Sequence, residues 1–161
     1  MRDDKLSFRE AALGDCDLFY KWRNEELVRA NSFNTGIVDY DEHAKWFHGK
    51  IDNDRCKMFV LTIEEKPVGQ IRFDMKEEAA EISVSICSEY RGRSLGKEGI
   101  KLLSDHIISN NYAKKILAYI KNGNDSSLKA FIATGYSIAD NNCRVKDQQA
   151  LKLEYIQPGV A

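Results

Sequence analysis

The chemistry of this chain gathers in the segment EISVSICSEYRGRSLGKEGIKLLSDHI, Glu81 to Ile107. It begins as an alternating strand, crosses a knot of arginine and glycine, and leaves as an amphipathic helix. The first turn of a helix has unpaired amide hydrogens and the positive end of the macrodipole. The run Arg91, Gly92, Arg93, Ser94, Leu95, Gly96 places two small-residue gaps and two guanidinium groups at that point. Together these make a seat for phosphate. The plain alternative is that Gly92 and Gly96 only permit a tight turn and that both arginines are solvated.

Positioning such a turn needs a sheet and a crossover, and the periodicity of the chain supplies both. LSFREA alternates as a short strand, and Asp15 is placed to cap a helix carrying Leu18, Phe19, Trp22, Leu27 and Val28. A second helix follows Asp41, with Ala44, Phe47 and Ile51 on one side. KMFVLTIEE and PVGQIRFDM read as strands joined by a hairpin turn within EEKPVG, and AEISVSIC alternates as the third strand of this group. Ile100, Leu103 and Ile107 share one face of a helix over about 94–110, and AKKILAYIK is a buried-type strand. Asn124 or Asp125 starts a last helix that turns Leu128, Phe131 and Ile132 inward and ends at Gly135. Strands around YSIAD and ALKLEYI complete the chain. Strands on either side of a crossover helix are usually parallel neighbours, so EISVSIC and ILAYI should lie side by side. The expected class is α/β (α+β): a mixed, mostly antiparallel sheet of about seven strands flanked by four helices.

Composition narrows the function. With 161 residues, 43% hydrophobic and 30% charged, the chain suits one domain, 1–161, that buries roughly two-thirds of its unfolded surface. No repeat, low-complexity segment or linker divides it. Lys and Arg number 24 against 25 Asp and Glu, with no long run of one sign, so no footprint for nucleic acid or an anionic membrane is present. Cys16, Cys56, Cys87 and Cys143 form no C-x-x-C pair, and His43, His48 and His106 lack metal-ligand spacing, so no metal is expected. MRDDKLSFRE contains no apolar signal segment and no run of 18 apolar residues occurs, which reads as cytoplasmic.

The turn resembles the acyl-CoA-binding motif of the GNAT N-acetyltransferases, a Gln or Arg, two residues, Gly, one residue, then Gly or Ala. Here Arg91 to Gly96 fill it, with Ser94 where that family prefers glycine. NGNDSSLKAFIATGY is similar to the family's second motif through Asn124, Ser127, Phe131 and the Gly135-Tyr136 pair. The element order fits too, so the likeness spans nearly the whole chain.

The resemblance implies the acyl-CoA N-acyltransferase fold with a splayed parallel pair, acetyl-CoA as co-substrate, and direct attack by an amine in a ternary complex. It implies that free amides within Val84, Ser85 and Ile86 meet the pantetheine and the thioester oxygen, and that Glu81 serves as general base, often through a water. An outward-facing strand residue is the plain alternative for Glu81. Phe131 stands where many relatives have a tyrosine that protonates the leaving thiolate, which leaves the donor open; water, Tyr119 or Tyr136 are substitutes. The segments YKWRNEELVR and DEHAKWFHGKI resemble two branches of the family. One acetylates sugar-nucleotide amines for nonulosonic acids and surface polysaccharides, the other protein N-termini, ribosomal ones among them. Trp22 and Trp46 could stack on a sugar or base, and Arg23 and His43 could meet phosphates or hydroxyls, with core packing as the alternative for both tryptophans. The expectation is a small-molecule amine acceptor, an amino-sugar nucleotide before a protein N-terminus. A non-catalytic acyl-CoA-binding module and a homodimer stay open.

Overall fold

A computed structural model describes residues 5–159. Seven strands form one sheet in the order β1-β2-β3-β4-β5-β7-β6. They are β1 Leu6–Glu10, β2 Cys56–Ile63, β3 Lys66–Lys76, β4 Ala79–Ile86, β5 Lys115–Lys121, β6 Ser137–Val145 and β7 Gln148–Ile156. The helices are α1 Cys16–Arg23, α2 Glu26–Ala30, α3 Tyr40–Ile51, α4 Leu95–Ser109 and α5 Asp125–Ala133. All neighbouring strands are antiparallel except β4 and β5, which run parallel on either side of the α4 crossover, as the sequence order requires.

Alternation along the strands gives the sheet two different faces. Ile71, Phe73, Ile82, Ile116, Ala118 and Leu153 point to one side and pack against Ile100, Leu103 and Ile107 of α4 and Phe131 of α5. Gly99 lets α4 approach the sheet, since a Cβ there would stand 3.1 Å from Leu61 Cδ1. On the other side Cys56, Met58 and Val60 of β2 meet Phe19 and Trp22 of α1 and Phe47 of α3. Beyond that second core the same face turns polar along β3 and β4, through Gln70, Arg72, Asp74, Glu81, Ser83 and Ser85.

Several local expectations are corrected. The helix drawn through Leu18 to Val28 breaks at Asn24 and Glu25, so the described residues form five α-helices in place of four. Asn24 sits at the break because its side chain is used across the chain, donating to Val38 O at 3.1 Å and accepting from Val38 N at 2.8 Å. Asp15 precedes α1 but makes no side-chain cap to it. Its carboxylate instead accepts from Ala12 N at 2.8 Å and from both terminal nitrogens of Arg9, at 2.8 and 2.9 Å. The α3 cap is Asp39, accepting from Asp41 N at 3.2 Å. The β2–β3 turn is only Glu64 and Glu65, at φ 50° and 69°, a two-residue reversal whose twist suits a hairpin. Pro67 and Gly69 belong to β3, and the register shifts opposite them between Leu61 and Thr62. Ile132 is 46% exposed, because α5 turns only Phe131 and, in part, Leu128 and Ala130 toward the core.

Candidate active site

The parallel ladder is short. It pairs Ala79 with Lys115, Ala80 with Ile116 and Glu81 with Leu117, and then stops although both strands continue. Past Glu81 the two strands diverge, and the amides on the β5 side of β4 lose their ladder partners. Cys87 N donates to Val68 O at 2.9 Å. Antiparallel bonding repeats every second residue, so Ser85 and Ser83 also turn their amides to β3, while the alternate amides turn to the β5 side, Ile82 into the Glu81–Leu117 rung and Val84 and Ile86 into the opening. Of the three positions read from sequence, Val84 and Ile86 therefore offer free amides and Ser85 does not.

The opening ends at the turn before α4. Gly92 has φ +80° and Ser94 is left-handed at φ 62°, ψ 20°, so the backbone coils tightly in front of the helix. The first bond into the helix runs from Glu98 N to Ser94 O at 3.2 Å, which leaves the amides of Leu95, Gly96 and Lys97 facing outward. A Cβ on Gly96 would find nothing nearer than Ile86 Cγ1 at 4.0 Å, so the space above this turn is open. Leu95 is buried and anchors the turn to the core.

The two arginines differ. Arg91 donates to Ile86 O at 3.1 Å and to Glu25 Oε1 at 3.0 Å, and the same Glu25 oxygen accepts from Ser88 N at 3.1 Å. Arg91 is thus a strut between the turn and the α1–α2 junction, and its charge is already matched. Arg93 is exposed, with its guanidinium 5.3 Å from the Tyr90 ring centroid, and keeps its charge free for a ligand. On α5, Asn124 Oδ1 accepts from Ser127 N at 3.4 Å, so these two residues cap the helix. Phe131 is buried edge-on to Tyr136, ring centroids 5.0 Å apart.

Glu81 occupies the polar face, opposite Asp74 on β3 and Leu117 on β5. With Leu117, Tyr119, Lys76, Arg144 and Val145 it lines a hollow of about 430 Å³. Tyr119 is half-buried here, two residues along β5 from the last rung. Tyr136 is elsewhere: its hydroxyl lies 2.7 Å from Ser104 Oγ inside the core, and burial holds its acidity well below that of an ordinary phenol. A second hollow, about 500 Å³, is lined by Glu25, Glu26, Leu27, Ala30, Ser88 and Arg91.

The residues read as acceptor contacts separate. Trp22 is 5% exposed and packs on Phe19, so its ring is core and can stack on no solute. His43 is buried, its Nε2 3.1 Å from Cys16 O, and burial lowers its basicity so that it stays neutral near pH 7. Trp46 is 37% exposed and carries the Arg72 guanidinium 5.1 Å from its centroid. Arg23 reaches the polar face, donating through Nη2 to Asn34 O at 2.8 Å. Arg72 and Gln70 went unread in the sequence, and Glu25, an acidic residue that could line a site for a peptide amine, is instead the partner of Arg91 and Ser88. The signal for the first two was the polar half of GQIRFD in a strand covered on both faces.

Residues 5–137 match the acetyltransferase (GNAT) domain family. The chain belongs to that family. No curated protein shows significant sequence similarity to it. Among solved structures it is similar to a spermidine N-acetyltransferase from Vibrio cholerae in complex with CoA and spermine, with 15% identity, TM-score 0.85, and 96% of this chain and 97% of that one covered. It is also similar to the aminoglycoside acetyltransferase AAC(6')-Ib bound to ribostamycin and coenzyme A (11%, TM-score 0.85, 95% and 94% covered). A third is RimL, a ribosomal-protein α-N-acetyltransferase in complex with coenzyme A (13%, TM-score 0.82, 98% and 97% covered). At these identities the likeness is one of fold, and it spans the GNAT domain from end to end. Among the described residues no helix is long and apolar enough to cross a membrane.

Proposed function

We propose that this GNAT enzyme transfers acetyl from acetyl-CoA to the amine of an amino-sugar nucleotide, of the kind used for surface polysaccharides or nonulosonic acids. One observation carries the donor half: the sheet opens between β4 and β5 onto a left-handed turn whose helix amides face open space. That arrangement fits an acyl-CoA, with diphosphate against the amides of Leu95 to Lys97 and pantetheine along Val84 and Ile86. Bound acetyl-CoA supplies the thioester. Arg93 adds a free charge, Ser94 presents backbone in place of a family glycine, and Asn124, Ser127 and Phe131 form the α5 side.

In this reading Glu81 takes the proton from the acceptor amine, directly or through a water, and the Val84 or Ile86 amide steadies the developing oxyanion. Attack is direct. Burial raises the Cys87 thiol at the end of β4 and pushes Cys56 up to about 11, so neither is a ready nucleophile at neutral pH. Tyr119 is the phenol that shares the hollow with Glu81 and is the residue we assign to protonate the leaving thiolate in place of Phe131.

For the acceptor, two of the acidic residues that could greet a peptide N-terminus are engaged, Glu25 on Arg91 and Ser88 and Asp39 on its helix cap, while Glu26, Asp41 and Glu42 form no ion pair among the described residues. Arg23, Arg29 and Lys121 bond carbonyl oxygens around the acceptor lobe, which favours an amine that arrives with an anionic group. The deciding assay offers UDP-linked 4-amino sugars and, separately, short peptides with free N-termini. Transfer to the sugars is expected. Transfer to peptides alone would make the chain a protein N-terminal acetyltransferase, and CoA affinity with no turnover on either would make it a binding module.

A further inference from the structure

On the polar face of the sheet, three buried side-chain atoms have no hydrogen-bond partner among the described residues: Arg23 Nη1, Gln70 Oε1 and Arg72 Nε. They are one group. Gln70 and Arg72 alternate to the same side of β3, and Arg23 comes from the end of α1 near enough that the charges of Arg72 and Arg29 disfavour its own. Burial adds to that effect, and arginine cannot shed its proton in response.

The local acids do not resolve the imbalance. Among the described residues Asp74 is the only carboxylate in ion-pair range of Arg72, with Oδ2 3.6 Å from Nε and beyond hydrogen-bond reach, and its other oxygen is 2.6 Å from Lys50 Nζ. No carboxylate among the described residues lies in ion-pair range of Arg23 or Arg29, both of which bond backbone carbonyls. Two partly buried guanidinium groups that have one divided carboxylate between them are under-compensated, and proteins keep such groups where a ligand supplies the charge. The chain as a whole has net charge −1, so this excess is local.

We infer that Arg23 and Arg72 form an anion seat for the acceptor, taking the phosphate oxygens of a nucleoside diphosphate, with Gln70 Oε1 accepting from a neighbouring O–H or N–H. The inference rests on the reading of this face as the acceptor side. It also fixes an orientation. Arg72 is paired with Ser83 and Glu81 with Asp74, so Arg72 and Glu81 are diagonal neighbours, with Cα atoms roughly 7–8 Å apart. The reacting amine must then stand across a sugar ring from the phosphate, toward Glu81, while Trp46 beneath Arg72 closes the side of the seat. The cofactor diphosphate occupies a different place, at the α4 turn.

The test is calorimetric titration of UDP, inorganic pyrophosphate and glucuronate into protein already saturated with CoA, for wild type, Arg23→Gln and Arg72→Gln. UDP and pyrophosphate should bind with CoA present, and each variant should weaken them about tenfold or more while CoA affinity stays within about twofold. Arg23→Lys keeps the charge without the fork, should fold even if the glutamine variant does not, and should still weaken UDP severalfold. Displacement of UDP by CoA, equal affinity in all variants, or binding of glucuronate without either phosphate probe would overturn the assignment. The acetyl-transfer assay is separate: an enzyme inert toward amino-sugar nucleotides that still binds UDP through Arg23 and Arg72 loses the proposed acceptor and keeps the seat.

Discussion

Glu81 and Leu117 form the last rung of the parallel ladder, and the sheet opens immediately beyond them. A carboxylate at that position stands at the apex of the opening, on the face away from α4. Replacing Glu81 with Gln should lower kcat about 10²-fold at neutral pH and leave the KM for acetyl-CoA nearly unchanged, as when only proton removal is lost. The defect should shrink as pH rises and the amine deprotonates unaided. A pH-independent loss in the rate profile would assign Glu81 to structure.

Ser94 and Gly96 separate strain from space. Ser94 holds a left-handed conformation that costs an L residue about 1 kcal/mol, so Ser94→Gly should raise thermal stability by about that amount and leave CoA binding intact. Gly96→Val meets only Ile86 Cγ1, at an unstrained 4.0 Å from its Cβ, so it should fold and yet bind CoA at least tenfold more weakly. Titration of the folded variant checks this, and unchanged affinity removes CoA from the turn.

Phe131→Tyr tests the proton donor. The ring is buried against Tyr136, so the variant should keep its melting temperature within a few degrees and raise kcat severalfold. Tyr119→Phe should lower kcat by about tenfold. An unchanged rate in the second variant would leave water as the donor.

The Arg9–Asp15 pair makes stability depend on acid. The bidentate bond from Arg9, with the Ala12 amide, holds the Asp15 carboxyl below its usual range despite burial. A folded-state pKa below the unfolded value of about 3.9 contributes stability that is fully present above about pH 5 and is lost as pH falls through the lowered value. Asp15→Asn should cost about 1–3 kcal/mol at pH 7 and flatten the acid limb of a denaturation profile below pH 4.

What the sequence exposed were the features governed by near neighbours. The alternation of β4, the arginine-glycine turn and the capping by Asn124 all lie within a few residues of their cause. What it hid depends on residues far apart. Glu25 meets Ser88 and Arg91 only after the sheet has formed, and the break in the first helix follows from the clasp between Asn24 and Val38. Trp22 and His43 carry chemistry that suits a ligand, but α1 and α3 close on them as a second core. Arg72 and Gln70 alternate with the buried residues of β3, and only the lobe folded over them makes their unpaired atoms meaningful.

The shortness of the β4–β5 ladder also governs how the molecule comes apart. Strands β1 to β4 are sewn together by long antiparallel ladders, as are β5, β6 and β7, while three rungs join the two groups. The seam proposed for the cofactor is therefore the weakest line in the sheet, and amide exchange should find its edges opening before either half melts. A ligand lying along that seam works as a staple. At a hundred times its dissociation constant it would add about 2.7 kcal/mol to the folded state, and the two halves would unfold more nearly as one.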